Sequence, residues 1–339
     1  MTLGIITAIA AGIMLGLYAL PEKYTKDFEF ENTWGLMFFI NMLIVPVIAG
    51  FALVNGFTDI LGSLSGEVLL KMTLGALAWG IGVMLLGKAI NYIGLSLGFS
   101  IFIGTVILVG SLLPFIVDGL PPTNALLIIL AGILVVLVGV IANGRAGIAR
   151  QADEQEQETA TKSQSAMSTG ILIAVGGGLL ATGFSYANAA GRPAIHAATQ
   201  AADNPEWVTA VVVMFVIYVA GALFVMPYFL YQLSKKGFWG KFKTSALGKN
   251  IGLTTVMAIL NFAASVTFAY AAYQLGQAGN TVGYAIFNTV SVAVAIITGL
   301  ITGEWIQASS KAKNMLYLGL AAMVIGVIII AFGNGMTAM

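Results

Sequence analysis

Apolar residues fill this chain in long runs, and charge appears in the breaks between them. No Asp, Glu, Lys, Arg or His occurs from Asn32 to Thr58, Ala89 to Val117, Gly119 to Gly144, Ser163 to Gly191, Trp207 to Ser234, or Asn314 to the end. The run from Ile251 to Gly303 is long enough for two crossings of a membrane. A helix needs about 20 apolar residues to cross a hydrocarbon core of about 30 Å. The alternating pattern of a membrane β-barrel is absent, so helices must satisfy the backbone. Punctuation by Gly, Pro and charge predicts ten spans, at 2–20, 34–54, 68–90, 94–117, 124–142, 168–190, 207–232, 250–275, 280–301 and 315–333. The first, Thr2 to Leu20, lacks a basic n-region and a small-x-small cleavage site. It reads as a retained transmembrane helix rather than a signal peptide.

Composition agrees with the pattern. Of 339 residues, 59% are hydrophobic and 9% charged, with a mean hydropathy of +0.95. A soluble globular protein carries about 25% charged residues, so this surface is built for lipid. The absence of cysteine removes disulfides, thiol chemistry and cysteine metal sites. The placement of the basic residues is more informative than the net charge of +1. Of the 15 Lys and Arg, only Lys71 and Arg192 fall in even-numbered loops. The positive-inside rule therefore predicts cytoplasmic odd loops and both termini outside the cytoplasmic (inner) membrane.

The chain also writes one phrase twice. "GLSLGFSIFIG" begins at Gly94 and "GNTVGYAIFNT" at Gly279, 185 residues on, with the same glycine spacing and the same Ile-Phe pair. "GIITAIAAGIMLGLY" from Gly4 is echoed by "GILIAVGGGLLATGF" from Gly170, matching at Ala8/Ala174 and Gly12/Gly178. Span four thus pairs with span nine, and span one with span six. The predicted organisation is a five-helix repeat over 1–143, a polar cytoplasmic linker over 144–167 and a second repeat over 168–339. Five is odd, so the second repeat must cross in the opposite sense. That is the inverted-topology repeat of many secondary transporters, with the substrate site near the midplane. The predicted fold class is therefore all-α integral membrane, ten transmembrane helices as a 5+5 inverted-topology repeat.

Enzymatic motifs fail on context. "GVMLLGKA" from Gly82 resembles a phosphate-binding loop, yet it lies inside an apolar helix and lacks the following Ser or Thr. His196 is the single histidine, and the spans hold no buried carboxylate for a Ser-His-Asp arrangement. No enzymatic activity, cofactor or metal is expected, and nothing in the charge pattern points to nucleic acid.

The polar side chains inside the spans are neutral: Asn41; Ser185, Tyr186 and Asn188; Asn261, Ser265, Thr267, Tyr270, Tyr273 and Gln274; Asn288 and Thr289. Polar groups in hydrocarbon turn toward the bundle interior or a wet cavity. Tyr270, Tyr273 and Gln274 share one helix face. Amides and hydroxyls beside aromatic rings suit a neutral polyol. In the paired phrases a thin glycine face stands beside Phe99 in the first copy and Tyr284 in the second.

Four stretches carry a resemblance to a known family. "YALPEKYTKDFEFENTW", "WGIGVMLLGKAINYIGLSLGFSIFIGTVILVGSLLP", "FSYANAAGRPAIHAA" and "TGEW" resemble segments of the L-rhamnose–proton symporters, a sugar-transporting branch of the drug/metabolite transporter superfamily. The resemblance implies a central cavity lined mainly by spans one to four and six to nine, and uptake of a deoxyhexose with protons. Matching motif positions are Tyr18, Glu31, Trp34, Trp79, Asn188, Arg192, Pro193, His196 and Glu304. Two regions depart from the family pattern: Val83 to Leu86 are apolar where the family has Asn and Tyr, and span eight is Ala-rich, although Tyr273 remains.

Together these readings define an expected multi-pass carrier of a small neutral sugar, working by alternating access and coupled to a cation, a proton by the resemblance. A drug/metabolite or amino-acid exporter of the same superfamily is the alternative. The candidate substrate-binding residues are Tyr18, Asn41, Trp79, Phe99, Tyr186, Asn188, Tyr270, Tyr273, Gln274, Tyr284 and Asn288. The coupling candidates are Glu31, His196 and Glu304. The sequence leaves the oligomeric state open.

Overall fold

The computed structural model describes residues 2–93, 98, 101–110, 120, 122–155, 164–276, 279, 282–303 and 305–336. Phe99, Glu304 and most of the first glycine phrase lie outside the described residues. What is described is helical, with no strand among the described residues. In chain order the helices are α1 (Thr2–Leu17), α2 (Phe30–Leu53), α3 (Phe57–Ser63), α4 (Gly66–Ile93), α5 (Ile101–Gly110), α6 (Thr123–Gln155), α7 (Gln164–Ala181), α8 (Gly183–Ala201), α9 (Val208–Lys236), α10 (Leu247–Gln274), α11 (Val282–Ile301) and α12 (Ser310–Gly335). Among the described residues, nine stretches are long and apolar enough to cross a membrane, α7 and α8 counting as one. The shorter α5 lies where the fourth span is predicted. Helix α6 runs on past Asn143 to Gln155, so the first part of the polar connection is helical.

Local chemistry explains where these helices bend. Helix α2 widens into a π-turn over Ile40–Ile44, where the Val45 N–H reaches back to the Ile40 carbonyl. Pro46 follows directly; it brings no N–H, and the ladder re-registers around it. Such turns recur at functional sites, and this one holds Asn41. Between α7 and α8 the helix breaks at Thr182, whose hydroxyl donates to the Leu179 carbonyl at 2.6 Å. Helix α1 breaks likewise after Leu17 and resumes as a 3₁₀ turn over Leu20–Tyr24, with Pro21 in its first turn.

The helices meet through glycine. Helix α6 packs along α12, and a Cβ added at Gly139 would sit 2.6 Å from the Gly319 carbonyl oxygen. The Gly132/Gly326 pair repeats this approach, with a Cβ on Gly132 2.8 Å from the Gly326 oxygen. Small residues let backbones approach in lipid, where no hydrophobic effect drives helices together. Helix α1 packs on α10 and α11, and α7 on α4. Isoleucine and leucine side chains such as Leu172, Leu223 and Ile328 point outward, 72%, 67% and 62% exposed, as a lipid-facing surface requires.

Gly139→Val should therefore overpack the α6–α12 seam and cost about 1–3 kcal/mol. It should lower the thermal midpoint in detergent, whereas Gly176→Ala, whose added Cβ meets nothing within 4 Å, should leave it within a degree or so.

Candidate functional site

Three helices meet around a small cleft. Asn188 and Arg192 come from α8, Thr209, Ala210 and Val213 from α9, and Ala269, Tyr270 and Tyr273 from α10, with Glu206 at the mouth. Asn188 and Arg192 are one turn apart and so share a face of α8. Tyr270 and Tyr273 do the same on α10. The Arg192 guanidinium sits over the Tyr273 ring at 5.6 Å. The ring of His196 lies 5.1 Å from Tyr273, and its Nδ1 is 3.1 Å from the Thr209 hydroxyl. Thr209 in turn meets the Thr199 hydroxyl at 2.8 Å.

Asn188 stands apart. It is 1% exposed, and neither its amide nitrogen nor its amide oxygen has a hydrogen-bond partner. A buried polar group left unsatisfied costs about 1–3 kcal/mol, so such groups call for a ligand or a water. Here the unmet donor and acceptor line a cleft walled by two tyrosines and by the apolar Ala210, Val213 and Ala269. The arrangement can grip two hydroxyls of a small molecule while ring faces cover its C–H surface.

A second polar group lies deeper. Tyr218, 1% exposed, donates to Asn261 Oδ1 at 2.9 Å and meets the Ser265 hydroxyl at 2.6 Å. Asn41, on the π-turn, donates to the same Asn261 oxygen at 2.9 Å, and its own Oδ1 is buried without a partner. Trp79 covers this group, 5.3 Å from the Tyr218 ring.

A third set closes the end of the bundle that carries Lys23, Lys236 and Lys249, hereafter the basic end. Glu31 pairs with Lys236 at 2.5 Å, and Glu29 with Lys241 at 2.6 Å. Thr244 donates to Asp27 at 2.6 Å, and the Asn32 amide to the Phe238 carbonyl at 3.0 Å. Asn250 holds both backbone groups of Lys26, at 3.1 and 2.8 Å. At the opposite end one asparagine does similar work: Asn204 holds the backbone of Asn55, at 2.8 and 3.0 Å.

Of the residues singled out in the sequence, Asn188, Tyr270 and Tyr273 come together in the cleft, and Asn41 and Trp79 in the deeper group. Tyr18 packs on Trp34, ring to ring at 5.8 Å, toward the basic end. Gln274 faces α1 and accepts from Thr7 at 3.2 Å. Tyr284 packs against Phe268 at 5.5 Å, and Asn288 spends its amide on the Tyr284 carbonyl at 2.8 Å. Tyr186 is 45% exposed and is not part of the cleft wall. Glu31 is held in its ion pair and His196 at the edge of the cleft. Thr209, Glu206 and Tyr218 were missed. A lone tyrosine in the middle of the apolar run Val208–Phe224 is the signal that pointed to Tyr218, since a buried Tyr hydroxyl needs a partner. No cluster of metal-ligating side chains occurs among the described residues.

Fold and site together define a multi-pass helical membrane protein with a polar recess in its bundle. The chain belongs to the L-rhamnose-proton symport protein family (RhaT), whose model matches residues 1–338. This is a family of transporters, not of enzymes. Among curated proteins it is similar to the L-rhamnose-proton symporter of Citrobacter koseri, 26% identical over 341 residues and covering 98% of each chain. The L-rhamnose-proton symporter of Escherichia coli is 25% identical over 342 residues, again covering 98% of each chain.

Proposed function

We propose that this protein takes up an L-rhamnose-like sugar together with a proton across the cytoplasmic membrane, by alternating access. The observation that carries the reading is the unpartnered Asn188 amide between Tyr270 and Tyr273. The names of the relatives support the sugar and the proton, and membership of their family disfavours an exporter. The substrate-facing residues are Asn188, Tyr270 and Tyr273, with Arg192 and Thr209 at the rim. Asn41, Trp79 and Tyr218 form the floor of the path.

The reading includes an inverted 5+5 repeat, which the packing supports. Gly12 packs against Phe287 and Val290, with an added Cβ 2.8 Å from the Phe287 oxygen and 2.7 Å from Val290 Cβ. Gly178, its partner in the sequence echo, packs against Phe102 and Thr105, at 2.7 Å from the Phe102 oxygen and 2.6 Å from Thr105 Cβ. Phe287 and Val290 lie 185 residues on from Phe102 and Thr105, the interval that separates Gly279 from Gly94. Loop conformations echo too. Asp27 and Asp203, at φ 62° and 53°, precede α2 and α9, and Gly56 and Gly237, at φ 66° and 70°, follow them. With 13 of 15 basic residues on the odd loops, the basic end is cytoplasmic and the termini are outside. The cleft then opens outward while the network of Glu31 and Asn250 keeps the inside shut.

The test is labelled L-rhamnose uptake into proteoliposomes, with and without an imposed proton gradient. We expect accumulation only with the gradient inward. No accumulation in either condition would remove the reading.

A further inference from the structure

Proton coupling needs a group that gains and loses a proton as access switches, and the described carboxylates narrow the choice. Glu31 and Glu29 are tied to Lys236 and Lys241, Glu67 to Lys71, and Asp27 to Thr244. Asp27 is exposed, as are Asp59, Asp203 and Glu206. Glu22 is different. It is half-buried in the 3₁₀ turn after α1, and its partner is neutral: the Trp34 indole donates to its Oε1 at 2.6 Å. The surroundings are aromatic, with Trp34 packed against Tyr18, Phe30 and Phe38 at 5.8, 5.7 and 5.9 Å.

The charged groups at this end are engaged elsewhere or stand off. Lys23, on the same turn, donates to the Thr302 hydroxyl at 2.6 Å. Lys26 is on the same loop, Lys249 is on α10, which packs against the turn, and Lys236 belongs to Glu31. Among the described residues none of them forms an ion pair with Glu22.

Position adds a second argument. The interval that relates Gly12 to Gly178, 166 residues, also relates Glu22 to Asn188. In an inverted repeat the two therefore occupy equivalent places at opposite ends, and Glu22 faces the inner cleft when the protein turns inside-open. Polar positions on two helices span the distance between them. Along α10 the polar positions descend from Tyr273 and Tyr270 in the cleft through Ser265 and Asn261 to Asn250 at the basic end. Along α2 they descend from Asn41 to Trp34, about 10 Å of helix rise, with Phe38 between.

We propose that Glu22 carries the coupled proton; this rests on reading the protein as a proton–sugar symporter. With the inner end latched, the carboxyl holds the proton and keeps its indole bond without needing a counter-ion, since an unpaired buried charge is costly. When the inner end opens, water reaches the carboxyl, the proton leaves to the cytoplasm and the carboxylate remains. Loading comes from the outer side: in the outward-open state the proton reaches Glu22 by way of the Asn41, Asn261, Ser265 and Tyr218 group. Phe38, packed on Trp34, closes that path when the inner end opens, so that the carboxyl meets one side at a time.

The test uses the full-length protein with two readouts. In proteoliposomes, Glu22→Gln should abolish gradient-driven L-rhamnose accumulation, which for one proton per sugar reaches roughly tenfold per unit of pH gradient. Gradient-free counterflow of labelled L-rhamnose should stay within about twofold, and Glu22→Asp should restore accumulation. Independently of any sugar, the Trp34 component of the intrinsic fluorescence should titrate with pH in the wild type and vanish in both Glu22→Gln and Trp34→Phe. Accumulation by Glu22→Gln equal to wild type, or joint loss of accumulation and counterflow with no fluorescence change, would overturn the proposal. A wild type that moves no L-rhamnose yet shows the Glu22-dependent titration would retain the proton site and remove the sugar.

Discussion

Asn188→Leu should make the protein more stable and nearly useless as a carrier. Leucine has about the same shape as asparagine, so the packing of a residue that is 1% exposed is preserved. It removes an amide whose two polar atoms have no partner, and with it a cost of about 1–3 kcal/mol. The thermal midpoint in detergent should accordingly hold or rise. Sugar binding should suffer, because two hydrogen bonds to substrate hydroxyls disappear and those hydroxyls lose water without compensation. At about 1–1.5 kcal/mol each, the loss is about 2–3 kcal/mol, or roughly 30- to 150-fold in affinity. The measurements are counterflow against sugar concentration and thermal unfolding on the same sample. A structural asparagine would lose stability and function together. Gain in one with loss in the other is the signature of a group kept for a ligand.

The contrast between Asn188 and Glu22 shows how far the sequence could be read. Spans, breaks and the charge bias follow from one-dimensional patterns, because lipid imposes length, apolarity and internal hydrogen bonding on every crossing segment. The glycine echo was legible for the same reason: helix contacts in lipid depend on small residues at fixed spacing. Asn188, Tyr270 and Tyr273 stood out as polar positions within apolar runs. Which polar groups face one another was not legible. Gln274 and Tyr270 are one turn apart on α10, yet the first meets Thr7 on α1 and the second lines the cleft. Facing depends on which neighbour packs where, and helix period alone does not give it. Glu22 escaped because it lies among Lys23, Lys26, Glu29 and Glu31 in what looks like an ordinary charged loop. Only the three-dimensional arrangement shows that Glu31 is spoken for by Lys236 while Glu22 rests against an indole. One likeness lies outside any comparison of residue types: Asp27 and Asp203, ahead of α2 and α9, both take the left-handed conformation. That conformation is uncommon outside glycine, and Asp and Asn tolerate it best.

The same asymmetry between ends yields the second large effect. Breaking the Glu31–Lys236 pair should open the basic end, which is cytoplasmic in the proposed orientation. Glu31 is nearly buried, its side chain 11% exposed, while that of Lys236 is 45% exposed. A fully buried charged hydrogen bond contributes about 1.5–3 kcal/mol, and the half-exposed lysine reduces this to about 1–2 kcal/mol. Removing it by Glu31→Gln should raise the inward-open population by roughly 5- to 30-fold. The chain contains no cysteine, so one introduced at Met37, which is 0% exposed on α2, reports directly. Its labelling by an impermeant maleimide from the cytoplasmic face of inside-out vesicles should accelerate in Glu31→Gln. It should return to the starting rate when Glu31→Lys is combined with Lys236→Glu. Glu29→Gln serves as the internal comparison, because the side chains of Glu29 and Lys241 are 45% and 41% exposed and such surface pairs contribute little. Equal acceleration in both single variants would mean that net charge at this end, rather than the buried pair, holds the gate. No acceleration in either would place the gate in the Asn250–Lys26 and Asn32–Phe238 bonds instead. Since those bonds hold backbone rather than charge, their release would not depend on salt.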